Sequence, residues 1–177
     1  MNKRRLLFIL FFSSLAISLI LCGTVFAYMF RQTEYTDNKF VPANVSCKVI
    51  EAFDGTQKTS IQIQNTGNID EYLRVRLISY WVDANGDTVA KPSIIPEVEM
   101  TAGWIKGANN TYYYKTPVKP GELTASLLSA PIILEIDENG YTQVIEVFAE
   151  AIQSKPHSAA TSSWGVTIDS NGHIVSQ

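Results

Sequence analysis

The first thirty residues constrain this chain more than any other part of it. Three basic residues at 3–5 precede 25 uncharged residues at 6–30, which are mainly Leu, Ile and Phe. A basic start, an apolar stretch and a small-residue site are typical of a secretory signal peptide. Val25 and Ala27 fit the −3 and −1 positions of such a site, so the sequence predicts cleavage between Ala27 and Tyr28.

An uncleaved membrane anchor is the alternative interpretation of the same segment. Twenty-five uncharged residues are enough to span about 30 Å of hydrocarbon as a helix. Basic residues on the N-terminal side would keep that end in the cytoplasm and send the rest outwards. Both interpretations predict an extracellular or cell-surface location for residues 31–177, with a single membrane pass if the leader is retained.

The exported part is acidic and contains one cysteine. All 17 acidic residues and all but three of the 14 basic ones follow Ala27, which gives that part a formal charge of −6. This charge argues against nucleic acid as a partner, because such binding depends on Lys and Arg neutralising phosphates. Cys47 is predicted to be a buried strand residue acting as a small hydrophobe, and the alternative is a cross-link between two chains.

Beyond the leader, the apolar residues recur with the period of strands. Alternation is strict at 58–64 and also present at 142–152. Residues 71–83 carry large side chains on both faces, which predicts a central strand with its second face partly covered. Further short strands are expected near 112–114, 123–128 and 132–136. Asn85-Gly86 predicts a tight hairpin after the strand at 71–83.

About eight strands at this spacing predict an all-β protein after an N-terminal hydrophobic helix. The expected architecture is a single β-sandwich of jelly-roll or immunoglobulin-like type. The predicted divisions are 1–27 as signal peptide or anchor, 28–45 as an extended N-terminal arm, and 46–177 as the sandwich domain.

Catalytic residue patterns are scarce, so we expect no enzyme and no cofactor. The only histidines are His157, in a loop of small residues, and His173, beside a turn. Neither a Gly-x-Ser-x-Gly elbow nor a His-Glu-x-x-His zinc motif occurs in the sequence. An enzyme using either histidine is therefore the weakest of the three functional hypotheses.

Asp83, Asn85 and Asp87 are the weak candidates for a metal site. Their spacing matches the first three ligand positions of a calcium loop. The match then fails, because Thr88 stands where the turn glycine belongs and Ile94 where the bidentate glutamate belongs. A polar hairpin turn is the favoured interpretation.

Trp104 and the run Tyr112, Tyr113 and Tyr114 are the candidates for a contact surface. Aromatic residues are enriched at interfaces and would suit a glycan or a protein ligand. The favoured alternative is that alternate tyrosines of one strand pack in the core while the middle one covers a sheet edge.

Several segments, taken in order along the chain, resemble a known family. They are residues 23–30, 38–45, 65–68, 72–76, 120–122, 149–153 and 164–165. The leader end is similar to those of proteins processed by the SipW-type signal peptidase, and the remainder resembles the TasA/camelysin-like group of Gram-positive surface proteins. The resemblance implies a jelly-roll-like domain, export through a dedicated signal peptidase, and assembly into matrix fibres by donation of the N-terminal arm.

The leading hypothesis is therefore a non-enzymatic structural or interaction protein of the cell surface or biofilm matrix. Its expected partners are other copies of itself or other surface proteins, with signal peptidase during export and the membrane if the leader stays. An arm that pairs with its own domain or stays disordered is the alternative for residues 28–45. The second hypothesis is a monomeric module that binds a glycan or protein through the aromatic residues.

Overall fold

The N-terminal unit consists of an apolar helix. The computed structural model describes residues 3–31 and 41–177, which divide into the compact units Met1–Val41 and Pro42–Gln177. The first unit contains α1 (Lys3–Arg31), of which Lys3–Tyr28 is long and apolar enough to cross a membrane. The predicted apolar helix is thus confirmed, and it fits either a signal peptide or an anchor.

The second unit is mostly β. Its elements in chain order are β1 (Cys47–Phe53), β2 (Gln57–Asn65), β3 (Glu71–Val82), β4 (Thr88–Val89), β5 (Trp104–Lys106), β6 (Thr111–Tyr114), β7 (Ile132–Ile133), β8 (Thr142–Gln153), α2 (Ser158–Trp164), β9 (Thr167–Ile168) and β10 (Ile174–Ser176). The three long predicted strands are confirmed as β2, β3 and β8. Residues 123–128 form no strand, although they run beside β2 through backbone bonds such as Leu127 N–H to the Ile61 carbonyl.

The strands form three antiparallel sheets. One has the order β1-β2-β7, and β9 and β10 form a separate hairpin. The largest sheet contains β4, β3, β6 and β5, with β8 pairing along all of β3 from Glu71↔Gln153 to Val82↔Thr142. β3 therefore lies at the centre of its sheet, as its large side chains on both faces predict.

Both faces of the largest sheet are covered by apolar side chains over part of their area. On one face, residues of β3, β6 and β8 share a core with Ile61 and Ile63 of β2 and with Cys47 and Val49 of β1. On the other, a smaller cluster is formed by Tyr72, Tyr113, Ala160, Trp164, Val166 and Ile174. Side chains alternate between these two clusters because successive residues of a strand point to opposite faces.

Helix α2 corrects the expectation of a loop at 156–163. The seven-residue helix ends at Gly165, whose φ of 68° is left-handed and whose N–H bonds to the Thr161 carbonyl. Glycine adopts this conformation without steric cost, so it suits a helix end. Ala160 and Trp164, four residues apart, are the buried residues of the helix. The segment is too short for its period to be visible in the sequence.

Candidate functional site

The aromatic residues proposed as a contact surface belong to the core. Trp104 and Tyr112 are 2% and 1% exposed in the larger cluster, and Tyr113 is 0% exposed in the smaller one. Tyr114 is half-buried with its ring centroid 5.2 Å from that of Trp104. The contact-surface interpretation is thereby corrected, because both faces of β6 are covered.

The middle tyrosine lies under helix α2 rather than at a sheet edge. The Tyr113 ring is 5.9 Å from the Trp164 ring. The Arg74 guanidinium lies 4.7 Å from the Trp164 ring centroid, and its Nη2 donates to Glu150 Oε2 at 2.7 Å. Arg74 thus joins α2 to the sheet.

Asp83 and its neighbours form a hairpin turn held by the aspartate. Asp83 Oδ1 accepts the backbone N–H groups of Asn85 and Asp87 at 2.8 and 2.9 Å. These bonds lower the pKa of Asp83, and the bond from the Asp87 N–H has the largest effect. Within 3–31 and 41–177, no group of three or more His, Cys, Asp or Glu side chains could hold a metal.

Within the part of the chain that the structure describes, the same turn occurs three times. Asp137 accepts N–H groups of Asn139 and Tyr141, and Asp169 accepts those of Asn171 and His173. All three turns have the sequence Asp-x-Asn-Gly, and each glycine has φ between 80° and 85°. The three aspartates each hold a hairpin of the same geometry, and this structural role accounts for them without a bound metal.

His157 makes a contact between separate elements, whereas His173 makes one within its own turn. His157 Nδ1 lies 3.1 Å from the hydroxyl of Tyr72, which itself donates to the Gly172 carbonyl at 2.7 Å. Since that hydroxyl proton is already used, His157 Nδ1 must be the donor. His173 Nδ1 lies 3.9 Å from Asp169 Oδ2 within its own turn.

Cys47 is half-buried and packs against the larger core. Burial, followed by the nearby carboxylates of Glu71 and Glu150, raises the pKa of Cys47 to about 11. The thiolate is the reactive form, so this thiol is a weak nucleophile at neutral pH.

The predicted arm has parts with different structures. Residues 28–31 belong to α1, and residues 32–40 lie outside the described residues. At its C-terminal end, Asn44 N–H donates to Asn68 Oδ1 at 2.7 Å, and Asn68 N–H donates to the Asn44 carbonyl at 3.0 Å. The last residues of the arm are thus tied to the turn after β2. The proposed cleavage bond, Ala27–Tyr28, lies within α1.

The long strand β8 has an open side. Among the described residues, its ladder partner is β3, and only its start is covered on the other side, where Gln143 N–H bonds to the Glu135 carbonyl. Backbone groups alternate between the two sides of a strand. Ile145, Val147, Ala149 and Ala151 therefore direct their backbone N–H and C=O groups to the open side.

β1 is the corresponding edge of the other sheet and lies beside β8. Its described ladder partner is β2, on one side only. A groove of about 380 Å³ is lined by both edges, with Val49 and Phe53 from β1 and residues 144–147 from β8. We call this groove the open seam. Lys58 and Glu51, 2.7 Å apart, form an ion pair that also lines it.

The seam could not be identified from the sequence. Alternation predicts each strand, but it does not specify which neighbour pairs with it. Comparisons with protein-family models, curated proteins and solved structures found no match to this chain.

Proposed function

We propose that this chain is a non-enzymatic structural or interaction protein of the cell surface or extracellular matrix. Its N-terminal helix exports it or anchors it, and its domain is a single β-sandwich whose open seam accepts an extended strand. The observation that carries this proposal is β8, a strand of 12 residues that pairs on one side with β3 and borders β1 on the other.

A single core supports the sandwich. Val49 of β1 packs into the same cluster as Ile145, Val147 and Ala149 of β8, although the two strands belong to different sheets. Two sheets that share one core through their inner faces make a sandwich. The seam lies where β1 of one sheet and β8 of the other border the same groove without pairing.

The unpaired backbone of β8 supports strand addition. A row of free N–H and C=O groups at a sheet edge is a template for an incoming strand. Main-chain hydrogen bonds give affinity in this mode, and pockets for alternate side chains give specificity. Phe53, which is 50% exposed, would provide such an apolar contact at the seam.

Charge on β8 disfavours the pairing of two identical edges. Glu146 and Glu150 are exposed on either side of Phe148. An antiparallel pair of β8 strands centred on Phe148 would place Glu146 of each copy opposite Glu150 of the other. Like charges directly opposite destabilise a strand pair, so this register is disfavoured, although Arg74 pairs with Glu150.

The donor in this proposal is the part of the predicted arm before Pro42, taken from a neighbouring copy. Asn44 and Asn68 hold the following residues to their own domain. A donated strand would therefore start from a fixed point and reach outwards. The resemblance to the TasA/camelysin-like group supports the same mode of assembly.

The test is light scattering with negative-stain imaging of the chain from Tyr28 onward. We expect growing oligomers or filaments, which disappear when residues 32–41 are replaced by a Gly/Ser linker of equal length. The matched control is the Lys119→Gln variant, a change at an exposed residue outside the seam. A persistent monomer, or unchanged assembly of the linker variant at an unchanged melting temperature, would contradict strand donation.

A further inference from the structure

A second concave site lies on the far side of β3, away from the open seam. β6 pairs with β3 at Arg74–Arg76, and β4 pairs with it at Trp81 and Val82. The intervening residues 78–80 have no ladder partner on that side among the described residues. A cavity of about 460 Å³ occupies this gap, within the usual range of about 300–1,000 Å³ for small-ligand sites.

One wall of the cavity is held in place by a buried glutamine. Gln143 is 1% exposed, and its Nε2 lies 3.0 Å from Ser79 Oγ, 3.1 Å from Ser93 Oγ and 2.8 Å from the Ile94 carbonyl. This network joins β8 and β3 to residues 93–95, which line the cavity. Buried polar groups that are hydrogen-bonded in this way fix local geometry, so the wall is preformed.

The opposite wall is a hairpin tip with two consecutive asparagines. Asn109 and Asn110 have φ of 53° and 55°, as the two central residues of a tight β5–β6 hairpin require. Leu77 N–H donates to the Asn110 carbonyl at 3.0 Å, which fixes the tip to β3. Neither side-chain amide is hydrogen-bonded to a described residue, so both remain available to a ligand.

The charge of the cavity comes from Arg76. Its side chain is exposed and makes no ion pair or hydrogen bond with any residue in the described ranges. Arg74, two residues earlier on the same face, is by contrast bonded to Glu150. A free guanidinium presents a planar fork of donors that matches a carboxylate.

We propose that this cavity binds an acidic sugar residue. Arg76 would bind the carboxylate, the amides of Asn109 and Asn110 would bind hydroxyl groups as donors and acceptors, and Ile94 would contact the ring. Ile94 is 84% exposed at the rim. β4 and β6 close the gap at both ends, which favours a compact ring over an extended peptide. This inference does not depend on strand donation at the seam.

The test uses the full-length chain in detergent micelles, observed by amide NMR during titration with sodium glucuronate. We expect saturable shifts confined to 76–79, 93–95 and 109–110, in the millimolar range typical of a single sugar. Arg76→Gln should weaken binding about tenfold or more, since a hydrogen bond to a charged group is lost. The matched control Lys119→Gln, which removes one exposed charge outside the cavity, should leave binding unchanged.

Two comparison ligands make the class of ligand testable. Glucose lacks the carboxylate and should bind at least about tenfold more weakly, and acetate lacks the ring and should do the same. Equal shifts with acetate would overturn the sugar assignment. Unsaturated shifts, shifts elsewhere, or equal binding by the Arg76→Gln variant would overturn the site.

Discussion

Replacing Trp104 with alanine separates a core role from a surface role. The side chain is 2% exposed, stacks edge-on against Tyr114, and donates from Nε1 to the Ala125 carbonyl at 3.1 Å. Truncating a buried tryptophan costs about 3–5 kcal/mol of unfolding free energy. A domain of this size loses roughly 3–5 °C in melting temperature per kcal/mol, so we expect Trp104→Ala to melt roughly 10–20 °C lower.

The assay is thermal and urea denaturation of the full-length chain in detergent, followed by circular dichroism. Ile94→Ala is the matched control, because Ile94 is 84% exposed and such changes stay within about 0.5 kcal/mol. Trp104→Phe should fall between the two, since it keeps an aromatic ring but loses the bond to Ala125. A loss below about 1 kcal/mol for Trp104→Ala would refute the core assignment.

Three further predictions concern buried or hydrogen-bonded polar groups. The Tyr113 hydroxyl is buried without a described partner, so Tyr113→Phe should leave the unfolding free energy unchanged or raise it by about 1 kcal/mol in urea titrations; a loss would contradict this. Burial raises the pKa of Glu71 above its ordinary 4.5. Its contribution to stability is therefore present below pH 4.5 and is lost as the pH rises through the folded pKa. Glu71→Gln should make the melting temperature depend less on pH across that range. The Lys91 ammonium, and then backbone N–H groups, lower the pKa of Asp137 from 3.8 to about 2. The stability contributed by the Asp137 carboxylate is present above pH 3.8 and is lost as the pH falls through 2. Asp137→Asn should therefore lose less stability than the unchanged protein on acidification over that range, and an equal loss would refute the assignment.

The elements that could be predicted from the sequence are those in which a regular pattern extends over many residues. β2, β3 and β8 have seven or more alternating residues, so the face of each side chain follows from its position. α2 has seven residues, six of them small, and makes fewer than two helical turns, so no apolar stripe could reveal it. The apolar helix α1 is the other clear case, because its uncharged run is long enough to span a membrane as a helix.

The proposed binding surfaces depend on which strands pair with one another, and the alternation of apolar residues does not specify that pairing. The run Tyr112–Tyr114 reads as an aromatic patch until α2 and the β9–β10 hairpin are placed over one face of β6. Likewise, β8 has the pattern of a half-buried strand whether one or both of its edges are paired. Its open side follows from the positions of β1 and β3, which are distant in sequence.

Arg74 and Arg76 show how such placement decides the role of a residue. Both lie on one face of β3, and each is opposite a residue of β8, Glu150 and Phe148 respectively. α2 covers the first arginine, whose guanidinium is bonded to Glu150 and stacked on Trp164. α2 does not extend over Arg76, whose guanidinium makes no hydrogen bond or ion pair with a described residue and lies beside the cavity. Two arginines on the same face of one strand thus differ in role: Arg74 joins α2 to the sheet, and Arg76 is the residue proposed to bind a ligand.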